Sequence, residues 1–497
     1  MGFALKRPDD AVGSAAPAIM IGLFVAFGGV LFGYDTGTIS GILAMTKWRE
    51  MFSTGFINEK DHLPDVTSSQ SSMIVSLLSA GTFFGALGAA PIADKFGRRL
   101  GMIMESFVFV FGVILQTAST SIPLFVAGRF FAGFGVGLLS ATIPLYQSET
   151  APKWIRGTIV GAYQLAITIG LLLAAIVNNS TKDRDDTGCY RIPIAIQFAW
   201  AIILVGGMLV LPETPRFLIK QDRYEEATKA LARLRRMDVD DPAVLAELAE
   251  IQANHEFEMR LGKASYLEIV RGSLGKRLAT GCAVQGLQQL AGVNFIFYYG
   301  TTFFQNSGIS NSFVITLITS IINVVSTFPG LYMVEKWGRR PLLMFGAVGM
   351  CVSQFIVAIV GTAIDSDVSN KVLIAFARAK CLSITTATNW LLNWAIAYAT
   401  PYMVNSGPGN ANLGSKVFFI WGGFCFICGI FVYTCIYETK GLSLEQVDEL
   451  YAKVPRAWNS VGWVPSVNYT EQLEYDAGEK KAEAATHLES VEAKAEA

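Results

Sequence analysis

The sequence predicts an all-α integral membrane protein in which two helical bundles are joined by a polar linker. Only 16% of its 497 residues are charged and 52% are hydrophobic, whereas about a quarter of the residues of a soluble domain are charged. The hydrophobic residues lie in blocks of roughly 20, the length that an α-helix needs to cross the hydrocarbon core of a bilayer. A lipid bilayer is therefore the expected surrounding of most of the chain.

Six hydrophobic spans form the first bundle, which we place at residues 17–211 after a cytoplasmic N-terminus at 1–16. The first span follows Lys6 and Arg7. It is too long for the core of a signal peptide and has no small-residue cleavage site, so we interpret it as a transmembrane helix. The spans lie near residues 17–43, 70–93, 101–119, 122–146, 158–178 and 192–211.

The linker at 212–277 is rich in Glu, Arg, Ala and Leu with helical periodicity, which predicts short amphipathic helices outside the bilayer. A second bundle follows at 278–437, and a polar tail of cytoplasmic type occupies 438–497. This bundle has five spans, so the prediction is about 11 transmembrane helices in total. The five spans lie near residues 278–305, 312–334, 341–363, 381–403 and 414–437.

A short basic motif occurs once in each half. Asp94-Lys-Phe-Gly-Arg-Arg99 and Glu335-Lys-Trp-Gly-Arg-Arg340 each follow the second span of their half. Parallel structural repeats of this kind build one superfamily of membrane transporters. Lys and Arg collect in cytoplasmic loops, so both motifs are expected on the same side of the membrane as the N-terminus.

Five further segments occur in a fixed order: Gly33-Tyr-Asp-Thr-Gly37, Arg129 with Gly133, Pro212-Glu-Thr-Pro-Arg216, Gln288-Gln-Leu-Ala-Gly-Val-Asn294 and Glu438-Thr-Lys-Gly441. Together with the repeated motif they resemble the sugar porter family of the major facilitator superfamily, most closely the fungal hexose transporters. The resemblance covers nearly the whole chain. It implies a fold of two six-helix halves, and transport of a monosaccharide, a hexose such as glucose, by alternating access.

A sugar offers hydroxyl groups that both donate and accept hydrogen bonds, so its site needs neutral amides and an aromatic surface. The alternative is that polar side chains in membrane helices bond to neighbouring helices. For Gln289 and Asn294, which can share one helix face, we favour sugar contact. The resemblance implies a sugar site at Gln164, Gln288, Gln289, Asn294, Asn323, Asn389 and Trp390.

A carboxylate inside an apolar span must be paired, hydrated or protonated. Asp35 lies in the first span, and Arg129 is the basic residue within the fourth. In proton-coupled relatives the matching residues are partners, so the resemblance implies that protonation of Asp35 releases Arg129. Proton symport is therefore expected, and a facilitative uniporter stays open as the alternative.

Charged residues near the predicted cytoplasmic ends of the spans are expected to form a gate of ion pairs that holds the inner side closed and breaks when it opens. The alternative is that the arginines only set the topology of the chain. The gate residues are Arg98, Arg99, Glu149, Arg156, Glu213, Arg339, Arg340 and Glu438.

The second half lacks the length for six spans. Arg99 and Arg156 are 57 positions apart, whereas Arg340 and its apparent counterpart Arg378 are 38 apart. The difference is close to one membrane crossing. We predict that the tenth helix is missing near 371–380, as after the loss of one internal block of sequence.

Three functions other than transport are compatible with the sequence. A truncated isoform that does not transport, or a wrongly assembled gene product, would explain the short second half; a sugar sensor is the third alternative. The three histidines lie outside the spans, and no spacing indicates catalysis or a metal, so no enzyme, cofactor or metal is expected. The expected partners are a monosaccharide, a proton and the lipid bilayer, with no nucleic acid, no obligate protein partner and a plasma-membrane location.

Overall fold

The computed structural model describes residues 14–57, 62–152, 155–260, 272–306, 311–363, 384–404, 410–411, 413, 416–439, 450–451, 453–454 and 456–463. Long helices dominate these residues. A two-stranded antiparallel sheet pairs Phe56–Ile57 (β1) with Pro64–Asp65 (β2). The predicted all-α class is confirmed.

The first half contains the six predicted spans. The first span is divided at Phe27 into two helices, and a short helix follows it before the second span. Thr67 and Gln70 form a capping box that starts the second span by satisfying free backbone N–H groups. The helices are α1 (Ala16–Ala26), α2 (Gly28–Ile42), α3 (Thr46–Phe52), α4 (Ser68–Phe96), α5 (Arg98–Ala118), α6 (Ile122–Thr150), α7 (Arg156–Thr181) and α8 (Gly188–Val210).

The linker forms three helices, α9 (Pro215–Lys220), α10 (Tyr224–Arg235) and α11 (Pro242–Arg260). Their apolar faces pack together through Leu218, Ile219 and Ala227, as the amphipathic pattern predicts. Arg235 forms an ion pair of 2.6 Å with Glu247 and donates a hydrogen bond to the Thr150 carbonyl. The linker is therefore attached to the end of α6.

The second half contains six described helices. A break at Ala291 and Gly292 divides its first span, and Gly292 has φ of +72°, a conformation that favours glycine. The helices are α12 (Gly272–Leu290), α13 (Val293–Asn306), α14 (Ser312–Trp337), α15 (Arg339–Ala363), α16 (Ile384–Val404) and α17 (Val417–Cys435).

Eight helical segments of the described residues are long and apolar enough to cross a membrane. Six lie in the first half and two, within α14 and α17, in the second; α15 contains a shorter apolar segment, Arg340–Ile356. The predicted total of 11 spans therefore stays a prediction. The predicted junction at 371–380, with Arg378 and Lys380, lies outside the described residues.

The most extensive helix contacts within the first half join α4 to α6, α5 to α6 and α2 to α7. Small residues permit this close approach, since Gly133 of α6 lies against the Leu78 carbonyl of α4. The two halves meet mainly where α4 packs on α16 and where α7 packs on α14. The space between the halves is thus bordered by symmetry-related helices.

Candidate functional site

A network of neutral polar side chains lies in the interior, next to the break between α12 and α13. The Asn294 amide donates to Gln289 Oε1 at 2.5 Å and to Asn393 Oδ1 at 2.9 Å. All three side chains are buried. The break allows Gln289 at the end of one helix and Asn294 at the start of the next to meet.

Asn393 of α16 extends this network to the first half. Its amide donates to the Tyr298 hydroxyl at 2.8 Å and to Ser79 Oγ of α4 at 3.2 Å. The sequence prediction missed Asn393, although it lies one helical turn after Asn389, which was predicted. That spacing places both on one helix face and was the available signal.

The other predicted sugar ligands are less well defined. The amide nitrogens of Gln164 and Asn323 are buried without a hydrogen-bond partner among the described residues. Gln288 is half-buried on α12. The side chains of Asn389 and Trp390 lie outside the described residues.

Asp35 and Arg129 form a buried ion pair inside the first half. Arg129 Nη1 lies 2.9 Å from Asp35 Oδ1. The Arg129 side chain is 2% exposed and the Asp35 side chain is 0% exposed. Arg129 Nε also donates to the Ile74 carbonyl, and the Gln197 amide lies beside Asp35. Removal of one partner from such a pair leaves an uncompensated charge in a medium of low dielectric.

A second buried carboxyl group, Glu105 on α5, was not singled out from the sequence. Its side chain is 1% exposed and accepts a hydrogen bond of 2.8 Å from the Thr142 hydroxyl of α6. The same hydroxyl lies 3.2 Å from the Leu138 carbonyl. Because a hydroxyl has one proton to donate, a protonated Glu105 would satisfy both contacts by donating to Thr142.

Charged residues cluster at the end of the bundle where α4 ends and α5 begins, which we call the basic end. Arg98 lies 2.9 Å from Glu149 of α6, and both side chains are less than a tenth exposed. The backbone N–H groups of Arg98 and Arg99 donate to Glu213 at 3.2 and 3.0 Å. Burial raises the pKa of Glu213, and these hydrogen bonds oppose the shift.

The second half repeats this arrangement. The Arg340 N–H donates to Glu438 at 3.0 Å, and the Arg340 guanidinium donates to the Tyr433 carbonyl and lies over the Tyr433 ring. Glu213 and Glu438 each follow the last helix of their half and bind the N-terminus of a helix, where a carboxylate is favoured. The side chains of Arg156 and Arg339 lie outside the described residues.

At the opposite end the two halves touch directly. Ser40 of α2 is hydrogen-bonded to Thr301 of α13 at 3.0 Å. Ser72 of α4 donates to the Tyr398 carbonyl of α16 at 2.9 Å. A small cavity of about 20 Å³ in this part of the structure is lined by Gly37, Leu171 and Thr316 among others.

Two pseudo-symmetric helical bundles around a polar interior define the fold of the major facilitator superfamily. The proton:xylose symporter XylE of E. coli, bound to 6-bromo-6-deoxy-D-glucose, matches with a TM-score of 0.72 at 24% identity, over 88% of this chain and 100% of that chain. The family model described as "Sugar (and other) transporter" matches residues 21–377 and 375–451. The chain belongs to this family of sugar transporters, which are not enzymes.

Fungal proteins are similar over most of the chain. The major facilitator-type transporter ecdD of Aspergillus rugulosus is 59% identical over 503 residues, with 94% of this chain and 93% of ecdD covered. The probable glucose transporter rco-3 of Neurospora crassa is 51% identical over 502 residues, with 94% and 84% covered. The high glucose sensor RGT2 of Saccharomyces cerevisiae is 40% identical over 480 residues, with 90% and 62% covered.

Proposed function

We propose that this protein carries a monosaccharide, a hexose such as glucose, across the plasma membrane by alternating access. The observation that carries the proposal is the buried network of Gln289, Asn294 and Asn393 with Tyr298 and Ser79, which joins the two halves in the interior. Amides and hydroxyls can exchange their mutual hydrogen bonds for those of a sugar. The names of the glucose transporter and hexose transporter relatives support the same substrate class.

The contacts at the two ends support a gating role. Ser40–Thr301 and Ser72–Tyr398 connect the halves at the opposite end, so this end must separate when the protein opens there. At the basic end, Glu213 and Glu438 each bind a helix N-terminus of their own half. The Ser40–Thr301 and Ser72–Tyr398 contacts form one discrete arrangement that a rocking motion of the halves can break and remake, whereas the glutamates hold the helices of each half together.

The Asp35–Arg129 pair supports proton coupling. Protonation would remove the charge of Asp35, so Arg129 would lose its counterion in a buried site and seek another partner. The pair lies on α2 and α6, and α2 also carries Ser40, which contacts the second half. Proton binding could therefore bias the contact between the halves. A facilitative uniporter remains the alternative.

Proton coupling is tested with Asp35→Asn in cells that lack other hexose transporters. We expect loss of sugar-dependent alkalinisation of the medium, while exchange of labelled sugar between the two sides is retained. Asp186→Asn, which alters an exposed ion pair of the first half, is the control and should leave both signals intact. Alkalinisation that persists in Asp35→Asn would argue for another proton carrier.

A second candidate is a chain of this family that does not transport. The family model matches in two segments that meet at residues 375–377, as expected if the sequence is interrupted there. The resemblance to RGT2 makes a sugar sensor a further alternative. Glucose uptake by the chain, measured in the same transporter-deficient cells, separates transport from both alternatives: saturable uptake supports transport, and its absence favours the second candidate or the sensor.

A further inference from the structure

The halves of the structure can be matched helix by helix. The two basic motifs, which contain Gly97 and Gly338, lie where α4 meets α5 and where α14 meets α15. The helix α4 therefore corresponds to α14, and α5 to α15. Glu213 follows α8, and Glu438 follows α17. The helices α8 and α17 are therefore the last spans of their halves. Two spans, α6 and α7, separate α5 from α8, whereas one described helix, α16, separates α15 from α17.

The contacts between the halves identify α16. The second span of the first half, α4, packs on α16, and the second span of the second half, α14, packs on α7. These two contacts are equivalent under the symmetry of the repeat only if α16 corresponds to α7. The helix without a counterpart in the described second half is therefore α6.

The direction of α16 supports this assignment. Asn393 meets Ser79, and further along α16 the Tyr398 carbonyl meets Ser72, which precedes Ser79 in α4. The helix α16 is thus antiparallel to α4. Because α4 ends at the basic end, α16 begins there.

The helix α15 also begins at the basic end, where Arg340 contacts Glu438. Its last residue Ala363 and the first residue of α16, Ile384, are therefore at opposite ends of the bundle, and only 20 residues join them in the sequence. A membrane-crossing helix needs about 20 mainly apolar residues, without room for loops. This joining sequence contains five charged residues, Asp365, Asp367, Lys371, Arg378 and Lys380.

The face of α14 that would meet the absent helix can be located by the repeat. In α4, the residues that touch α6 include Leu78, Gly81, Thr82 and Gly85. The motifs are offset by 241 positions, so their counterparts on α14 are Thr319, Ile322, Asn323 and Ser326.

Among the described residues this face of α14 is only partly covered: Ile322 is 36% exposed, and Thr319, Asn323 and Ser326 are half-buried. In the most apolar 18-residue stretch of α4, 56% of the residues are buried, whereas in that of α14 6% are buried. The Asn323 amide nitrogen has no hydrogen-bond partner among the described residues. The Thr319 and Ser326 hydroxyls donate to carbonyls of their own helix, so Asn323 is the residue of this face that suits a neighbouring helix better than lipid.

The relatives carry additional sequence. The alignment to ecdD spans 503 positions, yet 94% of this chain is about 467 residues, so about 36 positions of the alignment have no residue here. The alignment to rco-3 leaves about 35. This total equals the length of one transmembrane helix and a short loop.

We propose that this chain lacks an internal block of about 35 residues at 375–377, and that α14 retains a binding site, occupied by no described residue, for the helix which the block encodes. The occupant is an apolar transmembrane helix, the counterpart of α6, with a hydrogen-bond acceptor opposite the Asn323 amide. Independently of the transport proposed above, the helix would complete one wall of the interior between the halves, and sugar uptake with and without it measures how far transport depends on that wall.

The test compares the chain with a restored chain that carries the corresponding block of ecdD at Phe376. Each of the two chains is made in three forms: unsubstituted, with Ser326→Trp, which would clash with the docked helix, and with Val325→Trp as the matched control. Val325 is 61% exposed and corresponds to the exposed Phe84 of α4. The apparent Tm is measured in one detergent for all six proteins.

We expect the block to raise the apparent Tm, and Ser326→Trp to lower the Tm of the restored chain by about 5 °C while leaving the original chain and both Val325→Trp variants unchanged. A restored chain that aggregates, or Ser326→Trp with no effect or an equal effect in both chains, would overturn the proposal. Sugar uptake by the restored chain is a separate readout. Its absence together with the expected Tm pattern would refute the transport function and leave the helix site standing.

Discussion

Breaking the Asp35–Arg129 pair should destabilise the protein, and more strongly when Asp35 is replaced than when Arg129 is replaced. Asp35→Asn leaves a guanidinium that cannot lose its proton in a site where the Arg129 side chain is 2% exposed. Loss of one partner of a buried pair is unfavourable by about 3–5 kcal/mol. For a bundle of about 200 residues this corresponds to a fall of about 10 °C in Tm.

Arg129→Gln should be milder, because the carboxyl group left behind can bind a proton. The double variant Asp35→Asn/Arg129→Gln replaces the charges by two neutral amides and should recover most of the loss. The expected order of apparent Tm is wild type, double variant, Arg129→Gln and then Asp35→Asn. Thermal unfolding of purified protein in one detergent measures it.

The exposed pair Arg184–Asp186 provides the control. Its ion-pair distance is also 2.9 Å, but its side chains are 49% and 61% exposed. Asp186→Asn should therefore leave the Tm unchanged, since exposed pairs contribute little. If the effects of the two single substitutions at Asp35 and Arg129 simply add in the double variant, the two residues are not coupled and the reasoning is refuted.

Three further predictions concern other parts of the structure. Gly338→Ala should lower the apparent Tm, because Gly338 has φ of +96° and an added Cβ would lie 2.6 Å from Glu438; Gly423→Ala, at a site with open space, is the control, and equal Tm values would contradict this view. The pKa of Glu213 is raised in the folded protein. At pH values above the usual 4.5, the folded state therefore binds a proton at Glu213 more readily than the unfolded chain does. Wild-type protein should therefore gain Tm relative to Glu213→Gln as the pH falls from ~7 to ~5, whereas a shrinking difference would count against it. In the chain and in the restored chain alike, Asn393→Leu should weaken glucose binding at least tenfold in a titration of tryptophan fluorescence, because it removes both donor and acceptor groups; unchanged affinity would exclude Asn393 from the sugar site.

Much of the candidate site could be predicted from the sequence. Asp35 and Arg129 stand out because charged residues inside apolar spans need partners, and the structure places them 2.9 Å apart. The basic motifs stand out because they recur. Asn393 was missed because one amide among many polar residues in membrane helices carries little information until its partners are known.

Glu105 shows the same limit. A lone carboxyl group in a span at 101–119 can face a cavity, a neighbouring helix or a counterion, and its sequence neighbours do not distinguish these cases. The structure places it against Thr142 of α6, a contact between residues 37 positions apart. Contacts of this kind depend on how α5 and α6 are rotated against each other.

By itself, the sequence determined the fold class, and it predicts the polar linker and a second half that is one crossing short. Bilayer thickness sets the length of each span, so these features can be counted along one dimension. Only the tertiary structure decided that α16 packs on α4, that Asn393 joins the halves and that Glu105 meets Thr142. These depend on which helix faces meet, and that is settled by close packing between residues far apart in the chain.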